Sequence, residues 1–241
     1  GEDRRRFEGY ADMIVGRAGD IRRMVDEFSR FARMPAPELD EVDAEALLHE
    51  AVALQREGPE GAEGVAFELA PTEGPARPVR LDRGMVGQAL TNLLKNAGEA
   101  VATRRALDPG AGAGRVRAGL VFGPERLEIR IDDDGVGLPE TGRARLLEPY
   151  VTTREKGTGL GLAITRKIAE EHGGALSLED APQGFGAVGG ARAVLALPLE
   201  GAGGSGAAGG ADGPAASSAS AASPASPATR ERDPGTGDLH G

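Results

Sequence analysis

Three neighbouring stretches carry residues whose types and spacing could do chemistry. Residues 132–137 read Asp-Asp-Asp-Gly-Val-Gly and follow an apolar run, residues 152–156 supply hydroxyls and positive charge, and residues 157–161 read Gly-Thr-Gly-Leu-Gly. A carboxylate at the end of a strand can accept a hydrogen bond from an exocyclic amine, and glycines let the backbone approach a ligand closely. The N–H groups at a helix N-terminus bind phosphate. This layout predicts a nucleotide site.

The glycine clusters fit neither of the common phosphate-binding motifs. The alternate spacing at 157–161 lacks the third glycine of the dinucleotide fingerprint, and the chain contains no Gly-x4-Gly-Lys-Ser/Thr. An earlier stretch adds Asn92 and Asn96, whose spacing of four places both amides on one helix face. An amide oxygen is a suitable ligand for Mg²⁺, which keeps water and phosphate oxygens in its other positions. Two surface or capping amides are the alternative interpretation.

Taken in order, the motifs resemble a known family. Asn92-Leu-Leu-Lys-Asn96-Ala-Gly-Glu-Ala100, residues 132–137, residues 146–156 and residues 157–161 are similar to the N, G1, F and G2 boxes of sensor histidine kinases. The boxes belong to the catalytic ATP-binding domain, whose superfamily includes gyrase B, Hsp90 and MutL. The resemblance implies the Bergerat fold, an α/β two-layer sandwich in which helices cover one face of a mixed, mostly antiparallel sheet of about five strands. It also implies ATP and Mg²⁺ as ligands.

The resemblance assigns a role to residues in each box. Asn96 would be the magnesium ligand, Asn92 would support the phosphates and the metal, and Asp133 would accept from the adenine amino group. Arg154 would stabilise charge on the transferred γ-phosphoryl, where positioning and electrostatics provide most of the catalysis. The other expected nucleotide contacts are Gly135, Gly137, Tyr150, Thr152, Thr153, Lys156, Gly157, Thr158, Gly159, Leu160 and Gly161. Residues 152–156 could instead be a solvated loop.

Two residue choices refine the expected chemistry. Related hydrolases of the superfamily place a glutamate general base one turn before Asn92, where this chain has Gln88. A glutamine amide cannot act as that base, which favours phosphoryl transfer to a protein group over fast ATP hydrolysis. Three adjacent aspartates, 132–134, could also suggest a cation site. Because side chains alternate along a strand, however, the three carboxylates are not expected to converge.

The N-terminal region predicts a helix that needs a partner. Residues 4–33 show a seven-residue apolar repeat with intervening charges, typical of a coiled coil or helical bundle, and Pro35 and Pro37 end it. An ordinary amphipathic helix is the alternative. Residues 20–35 resemble the second helix of the dimerisation and histidine-phosphotransfer hairpin of nitrogen-regulation (Ntr-type) kinases, whose first helix carries the acceptor histidine. That acceptor motif is missing, and we interpret the chain's histidines as structural or incidental, namely His49, His172 and His240.

The elements that must position the motifs follow from apolar spacing and turn residues. We expect helices at 43–56, 83–102 and 160–171. We expect strands at 65–69, 77–81, 116–122, 127–132, 175–178 and 190–197, the third and fourth pairing antiparallel. The first helix should bury Leu47, Leu48, Ala51 and Leu54, and Asp82 should cap the second. Residues 135–157 should form a mobile lid that closes over ATP.

Composition limits which partners, sites and segments the chain can have. The net charge of −10 argues against nucleic acid as a partner, and the lack of cysteine excludes disulfides and thiolate metal sites. No apolar run reaches the ~18–20 residues of a membrane span. The Gly/Ala/Ser/Pro composition after residue 200 predicts a disordered tail. We therefore divide the chain into a truncated hairpin helix at 1–36, a catalytic ATP-binding domain at 37–200 and a tail at 201–241.

The resemblance implies a two-component signalling function. The γ-phosphoryl of ATP would pass to a histidine on an acceptor hairpin and then to an aspartate of a response-regulator receiver domain. The complete protein would be a homodimer anchored in the inner membrane, with this chain as a cytoplasmic portion. The alternatives are a serine kinase of the same fold and an ATP-gated interaction module.

Overall fold

A five-stranded mixed sheet forms one layer of the molecule. The structure is a computed structural model and describes residues 33–62, 64–108, 110, 112–151, 158–186 and 189–199, with Gly19, Arg22, Val25, Phe28 and Ser29. The sheet order is β2-β4-β5-β7-β6, and only the β2–β4 pair is parallel. Its strands are β2 Val65–Leu69, β4 Gly114–Phe122, β5 Arg126–Asp133, β6 Ala175–Asp180 and β7 Ala191–Pro198.

Helices form the second layer. They are α1 Ala44–Arg56, α2 Pro59–Ala62, α3 Arg83–Leu107 and α4 Gly161–Glu171, with a 3₁₀ helix at Arg143–Leu147. Alternate residues of β4, from Val116 to Phe122, are buried against α3, whose Leu90, Leu93 and Leu94 are almost fully buried. This two-layer sandwich is the fold class predicted from the sequence. No helix that the structure describes is both long and apolar enough to cross a membrane.

The opposite face of the sheet carries an alternating row of charges. Glu68, Arg117, Asp132, Arg192 and Glu179 are successive cross-strand partners on β2, β4, β5, β7 and β6. Asp132 accepts from Arg192 Nε at 2.6 Å and from Arg117 Nη2 at 3.0 Å. Opposite charges at directly paired positions stabilise neighbouring strands. We call this set the charge row.

A two-stranded sheet was not predicted. β1, Asp40–Val42, pairs antiparallel with β3, Val79–Leu81, so the expected strand at 77–81 is shorter and does not join β2. No sequence pattern indicated β1, because a three-residue strand is too short to show alternation.

Two predictions about helices were wrong in detail. Leu54 is 59% exposed, and Val52 and Gln55 are buried in its place. α3 continues five residues beyond the expected end at 102, and Arg104 in this extension is still buried. Asp82 caps α3 as predicted, accepting from Met85 N at 2.9 Å.

The predicted N-terminal helix lies mostly outside the described residues. Its described members are helical, and Val25 and Phe28, two positions of the apolar repeat, are 56% and 46% exposed. The predicted tail at 201–241 lies outside the described residues.

Candidate functional site

The N-box amides face the start of α4. Asn92 Nδ2 donates to the carbonyl oxygen of Gly161 at 3.3 Å. A Cβ atom at Gly161 would lie 3.9 Å from both Asn92 Cγ and Asn96 Nδ2. Two amides from α3 therefore meet the N-terminus of an eleven-residue helix. The helix N-terminus attracts phosphate, and amide oxygens beside it are chemically suited to Mg²⁺.

Asp133 ends β5 as a buried carboxylate. It is 6% exposed, and its Oδ1 accepts from Gly135 N at 2.9 Å. Burial raises the pKa of Asp133 to about 6, the hydrogen bonds from Gly135 and Ala191 oppose that shift, and the charges of Asp134 and Asp132 add to it. The carboxylate is ionised at neutral pH and can accept a hydrogen bond from an amino group.

The three adjacent aspartates point to different partners. Asp132 bonds Arg117 and Arg192 on the outer face of the sheet, whereas Asp134 pairs with Arg104 of α3 at 3.4 Å. Within the described part of the chain, no group of three acidic or histidine residues could hold a metal ion. The three carboxylates therefore do not converge on one point.

Two glycines are required by close contacts at the site. A Cβ at Gly135 would lie 2.6–2.7 Å from the backbone and side chain of Ala100, so the turn after Asp133 packs directly on α3. Gly159 has a φ of +68°, and its Cβ would lie 2.7 Å from Tyr150 C. Larger residues would separate these segments.

The described segments on either side of residues 152–157 meet at Tyr150. Its N–H donates to Gly159 O at 3.0 Å, and the residue has a φ of 66° with a side chain that is 54% exposed. Leu160 is fully buried beside it, whereas Thr158 Oγ1 accepts from Leu160 N at 3.4 Å. Gly137 has a φ of +75° and lies against Gly190. Thr152, Thr153, Arg154, Lys156 and Gly157 lie outside the described residues.

A cleft beside the N box contains Gln88. It encloses about 450 Å³ and is lined by Ser29, Arg33, Met34, Pro35, Met85, Gln88 and Ile164. The ring centroid of Phe28 lies 6.2 Å from that of Tyr150. Ser29 and Arg33 therefore lie near Gln88 and Ile164, and Phe28 lies near Tyr150.

His172 joins the two helices of the site. Its Nε2 accepts from Asp82 N at 3.0 Å, and its Nδ1 donates to Ile168 O at 2.8 Å, which fixes the tautomer. The ring thus ties the end of α4 to the N-cap of α3. This agrees with the structural role expected of His172, although the sequence did not show which backbone groups it would satisfy.

The fold and the motif order define the class of domain. Residues 81–201, half of the chain, match the family described as histidine kinase-, DNA gyrase B-, and HSP90-like ATPase. The chain belongs to this family. A solved structure of full-length ShkA in complex with AMPPNP has a TM-score of 0.61 and 27% identity, covering 76% of this chain and 37% of that one. The mycobacterial sensor histidine kinase MprB has a TM-score of 0.55 and 27% identity, covering 67% and 98%.

Sequence relatives point to a narrower group. The chain is 53% identical over 188 residues to nitrogen regulation protein NtrY of Azorhizobium caulinodans, covering 77% of this chain and 23% of the relative. It is 31% identical to the sensory histidine kinase/phosphatase NtrB of Rhodobacter capsulatus, covering 71% and 48%. The chain thus spans less than half the length of either relative. These similarities agree with the Ntr-type resemblance noted in the sequence.

Proposed function

We propose that this chain is the ATP-binding and catalytic portion of an Ntr-type sensor histidine kinase. It would transfer the γ-phosphoryl group of ATP to a histidine on a dimerisation hairpin, for relay to an aspartate of a response-regulator receiver domain. The observation that carries the proposal is the contact between Asn92 and Gly161, which brings the N box to the start of α4. Asp133 completes the site as an ionised acceptor in a buried position.

Each candidate site residue that the structure describes has a separate role in binding ATP. Asp133 accepts from the adenine amino group, and the close packing of Gly135 on Ala100 sets the depth of the adenine pocket. The first N–H groups of α4 and the Asn92 amide orient the phosphates. Asn96 holds Mg²⁺ through its amide oxygen; the ion neutralises phosphate charge when it is bound.

Phosphoryl transfer then depends on positioning more than on covalent chemistry. We propose that Thr152, Thr153, Arg154, Lys156 and Gly157 close over the triphosphate and that Arg154 stabilises charge on the transferred group. Gln88 lines the cleft beside the N box and offers no carboxylate to activate water. Transfer to a protein histidine is therefore favoured over hydrolysis. The acceptor histidine would come from a hairpin in the complete protein, a homodimer anchored in the inner membrane.

The test supplies γ-labelled ATP and Mg²⁺ to the chain alone and to the chain with a hairpin that carries the phosphoacceptor histidine. We expect acid-labile label on the added hairpin only, and no label with Asp133→Ala or Asn96→Ala. Glu170→Ala, which removes an exposed pair with Arg166 on α4, is the matched control and should transfer normally. Tight ATP binding without transfer would instead support a nucleotide-dependent interaction module.

A further inference from the structure

Arg104 is a buried arginine near the C-terminal end of α3, beyond the N box. It lies eight residues after Asn96 on α3, and its side chain is 10% exposed. Nη1 lies 3.4 Å from Asp134 Oδ2, whose side chain is 8% exposed. Nε and Nη2 are buried without a hydrogen-bond partner among the described residues. Burying a guanidinium whose Nε and Nη2 have no partner is energetically costly.

Asp134 is fixed from three sides. Its Oδ1 accepts from Arg115 N at 2.9 Å, and its own N–H donates to Arg115 O at 3.2 Å. Gly186 packs against it so closely that an added Cβ would lie 3.0 Å from Asp134 Cβ. The ion pair therefore joins α3 to the start of β4 and to the loop before β7.

Gly114 leaves the space that this pair occupies. A Cβ there would lie 2.0 Å from Val101 Cγ1, 3.1 Å from Arg104 Nη2 and 3.3 Å from Asp134 Oδ1. A side chain at this position would displace the pair or the helix. The glycine, the arginine and the aspartate thus form one packed unit.

This unit adjoins the carboxylate that the proposed function assigns to adenine. Asp133 is flanked by Asp132, which two arginines balance, and by Asp134, which Arg104 balances. The charged groups around this corner are Asp132 and Asp134 on its own segment, Arg104 on α3, Arg115 and Arg117 on β4, and Arg192 on β7. Asp133 takes part in none of the ion pairs formed among the described residues.

We propose that Arg104 is a positioning residue for nucleotide binding, which fixes the turn carrying Asp133 and neutralises the adjacent carboxylate of Asp134. This inference rests on the proposed function, because it assumes that Asp133 contacts adenine. Arg104 itself does not touch the nucleotide. It acts through Asp134, so the two residues should have opposite electrostatic effects on Asp133.

The opposite effects give a signature that a purely structural role would not produce. Arg104→Met leaves Asp134 as an unbalanced negative charge next to Asp133, which favours protonation of Asp133. Asp134→Asn leaves Arg104 as an unbalanced positive charge, which favours ionisation. Removing one neighbouring charge should shift the pKa of Asp133 by about 0.5–1 pH unit. A merely structural pair would weaken binding in the same way from either end.

The experiment measures ATP affinity of the full chain with Mg²⁺ from pH 5 to pH 8 by titration calorimetry. For the unsubstituted chain, we expect affinity to fall below about pH 6, where burial places the pKa of Asp133. We call the pH range over which affinity falls the acid limb. It should move to higher pH in Arg104→Met and to lower pH in Asp134→Asn, by about 0.5–1 pH unit each. It should return near its original position when both changes are combined. The titration of ATP itself is common to all variants and cancels in the comparison.

Two further variants keep the test decisive. Arg130→Met removes a partly exposed arginine that pairs with Glu128 on the outer face of β5, and it should leave the acid limb in place. Arg104→Lys keeps the charge and should also retain the limb. If Arg104→Met does not fold by circular dichroism, Arg104→Gln, which also removes the charge, replaces it. Shifts in the same direction, or no shift in either variant, overturn the inference. If the unsubstituted chain binds no ATP at any pH, the proposed function itself has failed.

Discussion

Replacing Asp133 by asparagine should stabilise the fold while it removes nucleotide binding. Burial raises the pKa of Asp133 from 3.8 to about 6, so at neutral pH the folded chain holds a carboxylate that burial disfavours. A pKa difference of about two units between the folded and unfolded chain means that the ionised carboxylate destabilises the fold by about 3 kcal/mol. Asparagine keeps one acceptor oxygen for Gly135 but loses the second, at a cost of about 1 kcal/mol. We expect the free energy of unfolding to rise by about 2 kcal/mol at pH 7.5.

The effect has a defined dependence on pH. Because the folded-state pKa lies above the unfolded one, the destabilisation by Asp133 is fully present above about pH 6 and disappears as the pH falls towards 3.8. Urea unfolding of both chains at pH 7.5 and pH 4.5 should therefore show a smaller difference at the lower pH. Other titrating groups are shared by the two chains and cancel.

The neighbouring residue provides a control of opposite sign. Asp132→Asn leaves Arg192 and Arg117 without their carboxylate, and should lower the free energy of unfolding by about 2 kcal/mol, less than for fully buried pairs because both arginines retain contact with water. If Asp133→Asn were the less stable chain at pH 7.5, or if its effect did not change with pH, the account of Asp133 as a buried carboxylate that destabilises the fold would be refuted.

Three other substitutions test separate parts of the site. Asn96→Ala should abolish phosphoryl transfer with little change in circular dichroism, and labelled ATP measures this; undiminished transfer would exclude Asn96 as the magnesium ligand. Gln88→Glu supplies a base near the phosphates and should raise ATP hydrolysis, measured as phosphate release; an unchanged rate counts against the argument from Gln88. His172→Ala removes both the acceptor of Asp82 N and the donor to Ile168 O, and should cost about 2 kcal/mol in urea unfolding; unchanged stability would show that water replaces the ring.

The box residues could be predicted because local sequence determines much of their geometry. Spacing of four placed Asn92 and Asn96 on one face of α3, and both face Gly161. Strand alternation correctly separated Asp132 from Asp133, which bond on opposite sides of the sheet. The contact between α3 and α4 is different, because it joins residues 69 positions apart. It was expected only from the resemblance to a family.

Other features depend on tertiary context that a sequence pattern does not contain. Arg104 reads as a solvated charge near a helix end, and only the packing of Gly114 and Asp134 around it shows that it is buried. Leu54 fits the apolar stripe of α1, yet its side chain is exposed to solvent. The short strand β1 acquires its conformation from β3, 37 or more residues later, so its own three residues carry no signal.

The charge row has a consequence for how the strands find their alignment. A shift of β5 by two residues along β7 would keep the same apolar side chains inside, so burial alone discriminates weakly against it. In one direction that shift would place Arg130 opposite Arg192 in place of Asp132, and the same error against β4 would set Arg130 opposite Arg117. Like charges at directly opposed positions repel. The charged residues on the solvent face therefore disfavour a shifted strand register that the apolar core alone would tolerate.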